Sequence, residues 1–413
     1  MTWLIPRDEL TSDQLQAIES DVKAHRVILG AAGSGKTQVL LHRAHHLRES
    51  LATPPERFHI FVYTNVLRHY IQSALSLLQL PGECVSTFDA WCVDYFKSNI
   101  GGKTPWNKER HQPDFVEVRN GVLNCVRDGL GRLPVFDFVL VDEGQDLDEV
   151  TLEILTRIAK HVTVCVDQRQ QIYDQGSSKE AVLRHLGIGA RNITFLETFR
   201  CSPYIVQVAA KFIDNAEEYW QFIQRSRTAQ IERETPLLYQ ASNQEDEVQR
   251  LCEVVRTRQS KGDKIAVLFP ENRKVYGFAK ALQDAGLEVE TPRRDRATGT
   301  FAELDFNSDL PKVLTYYAAK GLTFDSVIMP RLVRGSFRGM DKARILKLLF
   351  VGITRATKWV YLSTIGGDGF EPLDNLMSLQ QAGCLSVQKG GEVGPNPQPR
   401  SHTDDLEDIL DIL

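Results

Sequence analysis

The residues Gly30-Ala31-Ala32-Gly33-Ser34-Gly35-Lys36-Thr37 fit Gly-x-x-x-x-Gly-Lys-[Ser/Thr], the pattern of a phosphate-binding loop. Its glycines let the backbone curl, so that N–H groups from Ala32, Gly33, Ser34 and Gly35 converge on phosphate oxygens. Lys36 has the reach for β- and γ-phosphates, and the Thr37 hydroxyl suits Mg²⁺. A second set of chemistry-bearing residues lies at Asp142-Glu143, with Gln145 and Asp146 on the same turn. Beside a phosphate loop, Asp142 can hold the Mg²⁺ of a bound nucleotide, and Glu143 can orient and deprotonate the attacking water. Gln14, whose amide donates and accepts at once, suits the edge of adenine. Together these residues indicate hydrolysis of ATP.

The elements needed to position them are legible around each motif. Val27-Ile28-Leu29 reads as a buried strand entering the loop, and Gln38 to Arg48 as the helix leaving it. Thr11 or Ser12 can cap a helix whose face is Leu15 and Ile18. Phe58 to Asn65 reads as a strand with a polar tip, followed by a helix over Val66 to Leu80. Val85 to Trp91 is a second strand-to-helix junction. Phe136 to Val141 is an apolar strand that delivers Asp142 and Glu143 to its end, and Val162 to Val166 delivers Asp167. Strands with polar tips alternating with helices predict parallel α/β sheets with ligand at the carboxyl edge. In the second half, Leu237–Tyr239, Ile265–Phe269, Val313–Thr315, Val327–Met329 and Val360–Leu362 are strand candidates. Helices are expected over Glu245 to Arg258 and Lys274 to Ala285.

Composition is that of an ordinary globular protein. The 413 residues are 42% hydrophobic and 25% charged, with a formal net charge of −5. That balance does not by itself point to nucleic acid, and it leaves room for a local basic channel. The seven cysteines form no Cys-x-x-Cys pair, which argues against a zinc site or a disulfide framework and for reduced thiols in a cytoplasmic setting. No leader peptide and no apolar span of about 20 residues is evident, so no membrane role is expected.

The order and spacing of the motifs resemble those of superfamily 1 helicases of the UvrD/Rep/PcrA type, from about residue 10 to residue 363. Gln14 stands at the adenine-reading position, GAAGSGKT at motif I, VYTN (62–65) at motif Ia and VSTFDAW (85–91) at motif Ib. VDEGQD (141–146) matches motif II, and VDQRQQIY (166–173) and LETFRCS (196–202) resemble the next two boxes. KIAVLFPEN (264–272), VLTYYAAKGLTFDSVIMP (313–330) and LLFVGITRATKWVYLS (348–363) resemble motifs IVa, V and VI.

The resemblance implies two tandem RecA-like P-loop domains with parallel sheets and ATP in the cleft between them. It assigns Gln170 to sensing the γ-phosphate, Phe199 to stacking on adenine, and Arg200 and Arg355 to arginine fingers. It adds Gln38 and Gly321 to the nucleotide surroundings. Tyr63, Thr64, Asn65, Thr87 and Tyr173 match positions that track a single strand, where rings stack on bases and hydroxyls and amides meet phosphates.

The expected organisation is a first domain over 1–202 with a reduced 1B-like insertion at about 93–134, then a second over 203–383. In place of the family's 2B domain, about 292–310 is a short linker containing Arg293-Arg294-Asp295-Arg296. Residues 384–413 read as linker and acidic tail, suited to docking a protein partner or to mimicking nucleic acid in its groove. Other departures are Asp89 where the family has His, Thr323 where it has Glu, and Gln38 where it often has Arg. The implied function is ATP-driven translocation on single-stranded DNA with 3′→5′ polarity, with duplex unwinding as an extension. The alternatives are a nucleotide-gated switch or regulatory ATPase acting through a partner, and an RNA-directed motor.

Overall fold

The computed structural model describes residues 3–31, 33–109, 111–130, 133–167, 179–196, 201–225, 234–292, 304–366 and 369–391. Apolar five- to eight-residue runs become strands buried on both faces, as parallel sheets require. The first half supplies β1 (Arg26–Gly30), β2 (Phe58–Val62) and β3 (Val85–Thr87). A short antiparallel pair follows, β4 (Trp106–Asn107) and β5 (Gln112–Pro113). Then come β6 (Phe136–Val141), β7 (Ala159–Val166) and β8 (Ile193–Leu196). They assemble as β3-β2-β6-β7-β1-β8, with every neighbouring pair parallel. The second half supplies β9 (Leu237–Ala241), β10 (Ile265–Phe269), β11 (Lys312–Thr315), β12 (Phe324–Met329), β13 (Ala356–Ile365) and β14 (Ser386–Lys389). Their order is β11-β10-β12-β13-β9-β14, again parallel throughout. Two six-stranded parallel sheets in tandem are the expected RecA-like α/β class.

Five helices of the first half position the site: α1 (Ser12–Glu19), α2 (Lys36–Ser50), α3 (Asn65–Leu75), α4 (Phe88–Tyr95) and α5 (Phe115–Arg127). Helix α2 is tied to α1 by Arg43, which is fully buried. Its guanidinium donates to the carbonyls of Ala17, Ile18 and Ser20 at the end of α1, and to Thr163 on β7. A cation among the last carbonyls of a helix satisfies groups that have no partner within the helix. Burial pulls the Arg43 pKa down to about 10.

Strand β14 corrects the sequence reading. Residues 384–391 were expected to be linker, yet Ser386–Lys389 pair with Leu237–Gln240 and extend the second sheet beyond β9. Alternating polar residues suit an edge strand with one solvated side, and the flanking glycines gave the stretch its linker-like composition. The rest of the acidic tail and Arg293-Arg294-Asp295-Arg296 lie outside the described residues. No helix among the described residues is long and apolar enough to cross a membrane.

Candidate nucleotide site

The phosphate loop joins β1 to α2. Gly33 (φ 77°) and Gly35 (φ 80°) hold left-handed conformations that a side chain would strain, and Gly35 is the residue from which α2 starts. The Lys36 ammonium folds over its own loop, donating to the carbonyls of Gly30 (2.9 Å) and Ala31 (3.0 Å). It also lies 3.4 Å from Asp167 at the tip of β7. The Thr37 hydroxyl donates to the Asp142 carboxylate at 2.7 Å.

At the end of β6 the chain turns through Glu143, which adopts the left-handed region at φ 57°. A non-glycine residue held there stores backbone strain of a kind concentrated at functional sites. Asp142 accepts the Glu143 backbone N–H, and the Gln145 amide bridges the Glu143 carboxylate and the backbone N–H of Asp167. Burial and the neighbouring Glu143 charge raise the Asp142 pKa to about 6, against the hydroxyl of Thr37 and the charge of Lys36. Burial alone would raise Glu143 as well, but Lys320, Lys36 and Arg355 outweigh it and hold Glu143 below its usual value.

Two of those cations come from the second half of the chain. Arg355 precedes β13 and is only 5% exposed. Its guanidinium donates to the carbonyls of Val351 and Leu322 and to the Thr354 hydroxyl. Burial lowers its pKa, opposed first by Glu143. Lys320, 2% exposed, pairs with Glu143 at 3.4 Å and donates to Asp146. Burial raises Asp146 to about 7, with Lys320 opposing and Glu143 reinforcing the shift. Gly321 follows at φ 80°, where an added Cβ would lie 3.0 Å from the Leu67 methyls of α3. A small residue is what lets the two halves approach this closely.

One cavity is lined from both halves: Gly33, Gly35, Lys36, Thr37 and Glu143 on one side, Gly321, Thr323 and Arg355 on the other, with Trp3, Gln38 and Tyr70 at its edge. The donor set fits a magnesium–triphosphate. The left-handed glycines aim N–H groups into a nest, the buried Ser34 Oγ has no hydrogen-bond partner, and Thr37 with Asp142 offers two hard oxygens. Among the described residues no cluster of three or more His, Cys, Asp or Glu forms a metal site of its own. The cavity measures about 40 Å³, against the roughly 300 Å³ or more of a typical ligand pocket. That volume is too small for a nucleotide with the two halves as close as the Lys320 and Gly321 contacts hold them.

Gln14 and Gln38 both spend their amides on neighbouring backbone in this structure. Gln14 is buried in a capping box: its carbonyl oxygen accepts from Thr11 N–H and its amide donates to the Ser34 carbonyl, so it braces the phosphate loop from behind. Gln38 lines the cavity, but its amide donates to the Trp3 carbonyl and accepts from Ile5 N–H. Ala32, Gln170, Tyr173, Phe199 and Arg200 lie outside the described residues. Residues to which the sequence assigned no role are Lys320, Asp167, Trp3 and Tyr70. Lys320 and Asp167 stand inside recognisable motifs, and Trp3 and Tyr70 do not.

The expected nucleic-acid positions cluster at the carboxyl edge of the first sheet. Thr64 and Thr87 cap α3 and α4, accepting from Leu67 and Ala90 N–H, and Asn65 opens α3 on the exposed side. Tyr63, Thr87, Phe88 and Asp89 line a second cavity of about 440 Å³ that reaches Asp142 and Asp146 below and Arg344 from the other half. Asp89 does not present a bare carboxylate there. Arg119 on α5 pairs with it at 2.6 Å and with Asp148 at 3.2 Å.

Comparison with known proteins agrees with this arrangement. Residues 10–127 match the UvrD/REP helicase N-terminal domain, and residues 193–294 and 312–363 match two models of the UvrD-like helicase C-terminal domain. A Mycoplasma pneumoniae protein named "Probable DNA helicase" is 24% identical over 279 residues, covering 61% of this chain and 48% of its own length. The Bacillus subtilis protein named "Putative ATP-dependent DNA helicase YjcD" is 41% identical over 63 residues, 15% of this chain and 8% of its own. The chain thus spans about half or less of the length of these relatives. The C-terminal domain of a possible DNA helicase from Lactobacillus plantarum WCFS1 superposes loosely, with a TM-score of 0.35 and 17% identity over 46% of this chain and 98% of that one. With its motifs, its paired parallel sheets and three successive family domains, the chain belongs to the UvrD/Rep-like superfamily 1 helicases.

Proposed function

We propose that the chain is an ATP-dependent single-stranded DNA translocase, able to act as a helicase, that couples hydrolysis to opening and closing of the cleft between its two sheets. The observation that carries this reading is the cavity shared by Lys36, Thr37 and Glu143 with Arg355 and Gly321. A hydrolytic set divided between two halves is complete only when they close, so turnover and motion are linked.

Lys36 and the loop N–H groups bind the phosphates, and Thr37 with Asp142 holds Mg²⁺, which neutralises phosphate charge when bound. Glu143, kept ionised by the surrounding cations, accepts the proton of the attacking water. Arg355, already oriented by the Val351 and Leu322 carbonyls, presents a planar fork to charge building on the transferred phosphoryl group. Gln170, Arg200 and Phe199 complete the site in the roles the family resemblance gives them. The strand runs over Tyr63, Thr64, Asn65 and Thr87, and the same resemblance supplies Tyr173 as a further base contact and the 3′→5′ polarity. Pairing of Asp89 with Arg119 supports this path, because it removes an uncompensated negative charge beside the phosphates.

The test is steady-state ATP hydrolysis alone, with single-stranded DNA, with duplex DNA and with RNA. Strong stimulation by single-stranded DNA, with displacement of a bound roadblock, is expected. Preference for RNA would change the substrate and keep the mechanism. ATP binding with little turnover under every condition would overturn the motor reading in favour of a switch acting through a protein partner.

A further inference from the structure

In the reading above, Phe199 offers the purine base of ATP one ring, and a base has a second face that another ring can cover. Gln14 spends its amide on Thr11 and Ser34, and Gln38 spends its own on Trp3 and Ile5. What Gln38 secures in doing so is an aromatic ring. Trp3 and Tyr70 both line the cavity that contains the phosphate loop, and their rings stack with centroids 3.9 Å apart and planes 18° apart. The indole N–H donates to the Ser73 hydroxyl at 2.9 Å. Two residues on, Ile5 is pinned to α2 by Gln38 and by His42, whose ring nitrogen lies 2.9 Å from the Ile5 carbonyl. Tyr70 in turn meets Phe306 of the second half edge to face at 5.1 Å.

The geometry points to Trp3 as the base-stacking wall of the nucleotide site, with Tyr70 supporting it from behind. This inference rests on the proposed ATP-binding function and names a residue that joins Phe199 in holding the base. Three features favour a binding surface over simple core packing. The ring lines the same cavity as the phosphate loop and is half-buried. It is held at its edge, at one face and through its backbone, which fixes its plane before any ligand arrives and reduces the ordering cost of binding. Stacking on Tyr70 engages one face of the indole, and every nucleobase offers a ring suited to stack on an aromatic face. Gln38 then acts as a positioning residue for Trp3 and does not itself contact the base.

The experiment compares wild type, Trp3→Phe and Trp3→Ala in the full chain. ATP hydrolysis gives KM and kcat. Competition by inorganic tripolyphosphate probes the phosphate loop without a base. ATP-induced tryptophan quenching reports the stack without turnover. Trp3→Ala is expected to raise the ATP KM about tenfold or more, with kcat within about twofold and tripolyphosphate affinity unchanged. Trp3→Phe should restore most of the affinity while losing the quenching signal. An unmoved ATP KM in Trp3→Ala, or a parallel weakening of ATP and tripolyphosphate, would overturn the inference; so would a lower KM, which would make the indole a plug. Failure of the wild type to bind ATP at all would instead overturn the proposed function, and the inference with it.

Discussion

The Lys320 ammonium lies 3.4 Å from the Glu143 carboxylate and donates a hydrogen bond to Asp146, so one lysine of the second half closes on two carboxylates of the first. All three side chains are buried. In such a cluster the ion pair adds little net stability, but deleting one partner strands the others without compensation, typically at a cost of about 3–5 kcal/mol.

Lys320→Ala should therefore push the two halves apart. The expected outcome is a larger radius of gyration in small-angle scattering and a fall in ATP turnover, with Lys320→Arg recovering part of both. An unchanged radius would mean that the cleft is held by Gly321 and the surrounding apolar contacts instead.

Glu143→Gln keeps the shape of the side chain and removes its proton-accepting charge. ATP binding should persist while kcat falls by a factor on the order of 10²–10⁴, read by equilibrium binding and single-turnover hydrolysis. Retained hydrolysis would assign the base to another residue.

Asp146 predicts a pH dependence. Its pKa in the folded chain is raised from the ordinary aspartate value of 3.8 to about 7, mainly by burial. Between those values the folded state keeps a proton that the unfolded chain has released, so on this residue's account unfolding free energy falls as pH rises from about 4 to 7. Asp146→Asn removes that dependence. The melting temperature of the variant relative to wild type should rise from pH 5 to pH 8. The opposite trend would mean that pairing with Lys320 outweighs burial.

Gln14→Ala tests the bracing role of this residue. Losing the capping box and the bond to the Ser34 carbonyl should cost about 1 kcal/mol of stability and weaken all nucleoside triphosphates alike. A selective loss of ATP against GTP would restore the adenine-reading role.

How much of this was legible beforehand depended on how local each signal was. The phosphate loop and Asp142-Glu143 were readable because each sits at the end of an apolar strand whose pattern lies within a few residues. Arg355 was found through its motif, since no local pattern places it in the cleft. Asp146, to which Lys320 donates, lies 174 residues away, and composition carries no trace of such a pair. The bracing bonds of Gln14 carried a local signal: Thr11 and Gln14 have the spacing of a capping box. The contacts of Gln38 carried none, because its partners, Trp3 and Ile5, belong to a segment without periodicity.

Strand β9 lies between β13 and β14, both of which come more than 100 residues later in the chain. A ribosome releases β9 long before either neighbour exists, so during synthesis it is an apolar strand with two unpaired edges, a template for pairing with other nascent chains. The second sheet closes only when the segment ending at Lys389 emerges. A chain cut at residue 383 would lose one edge of β9 for good, and any truncation meant to probe the acidic tail should begin after Gly391.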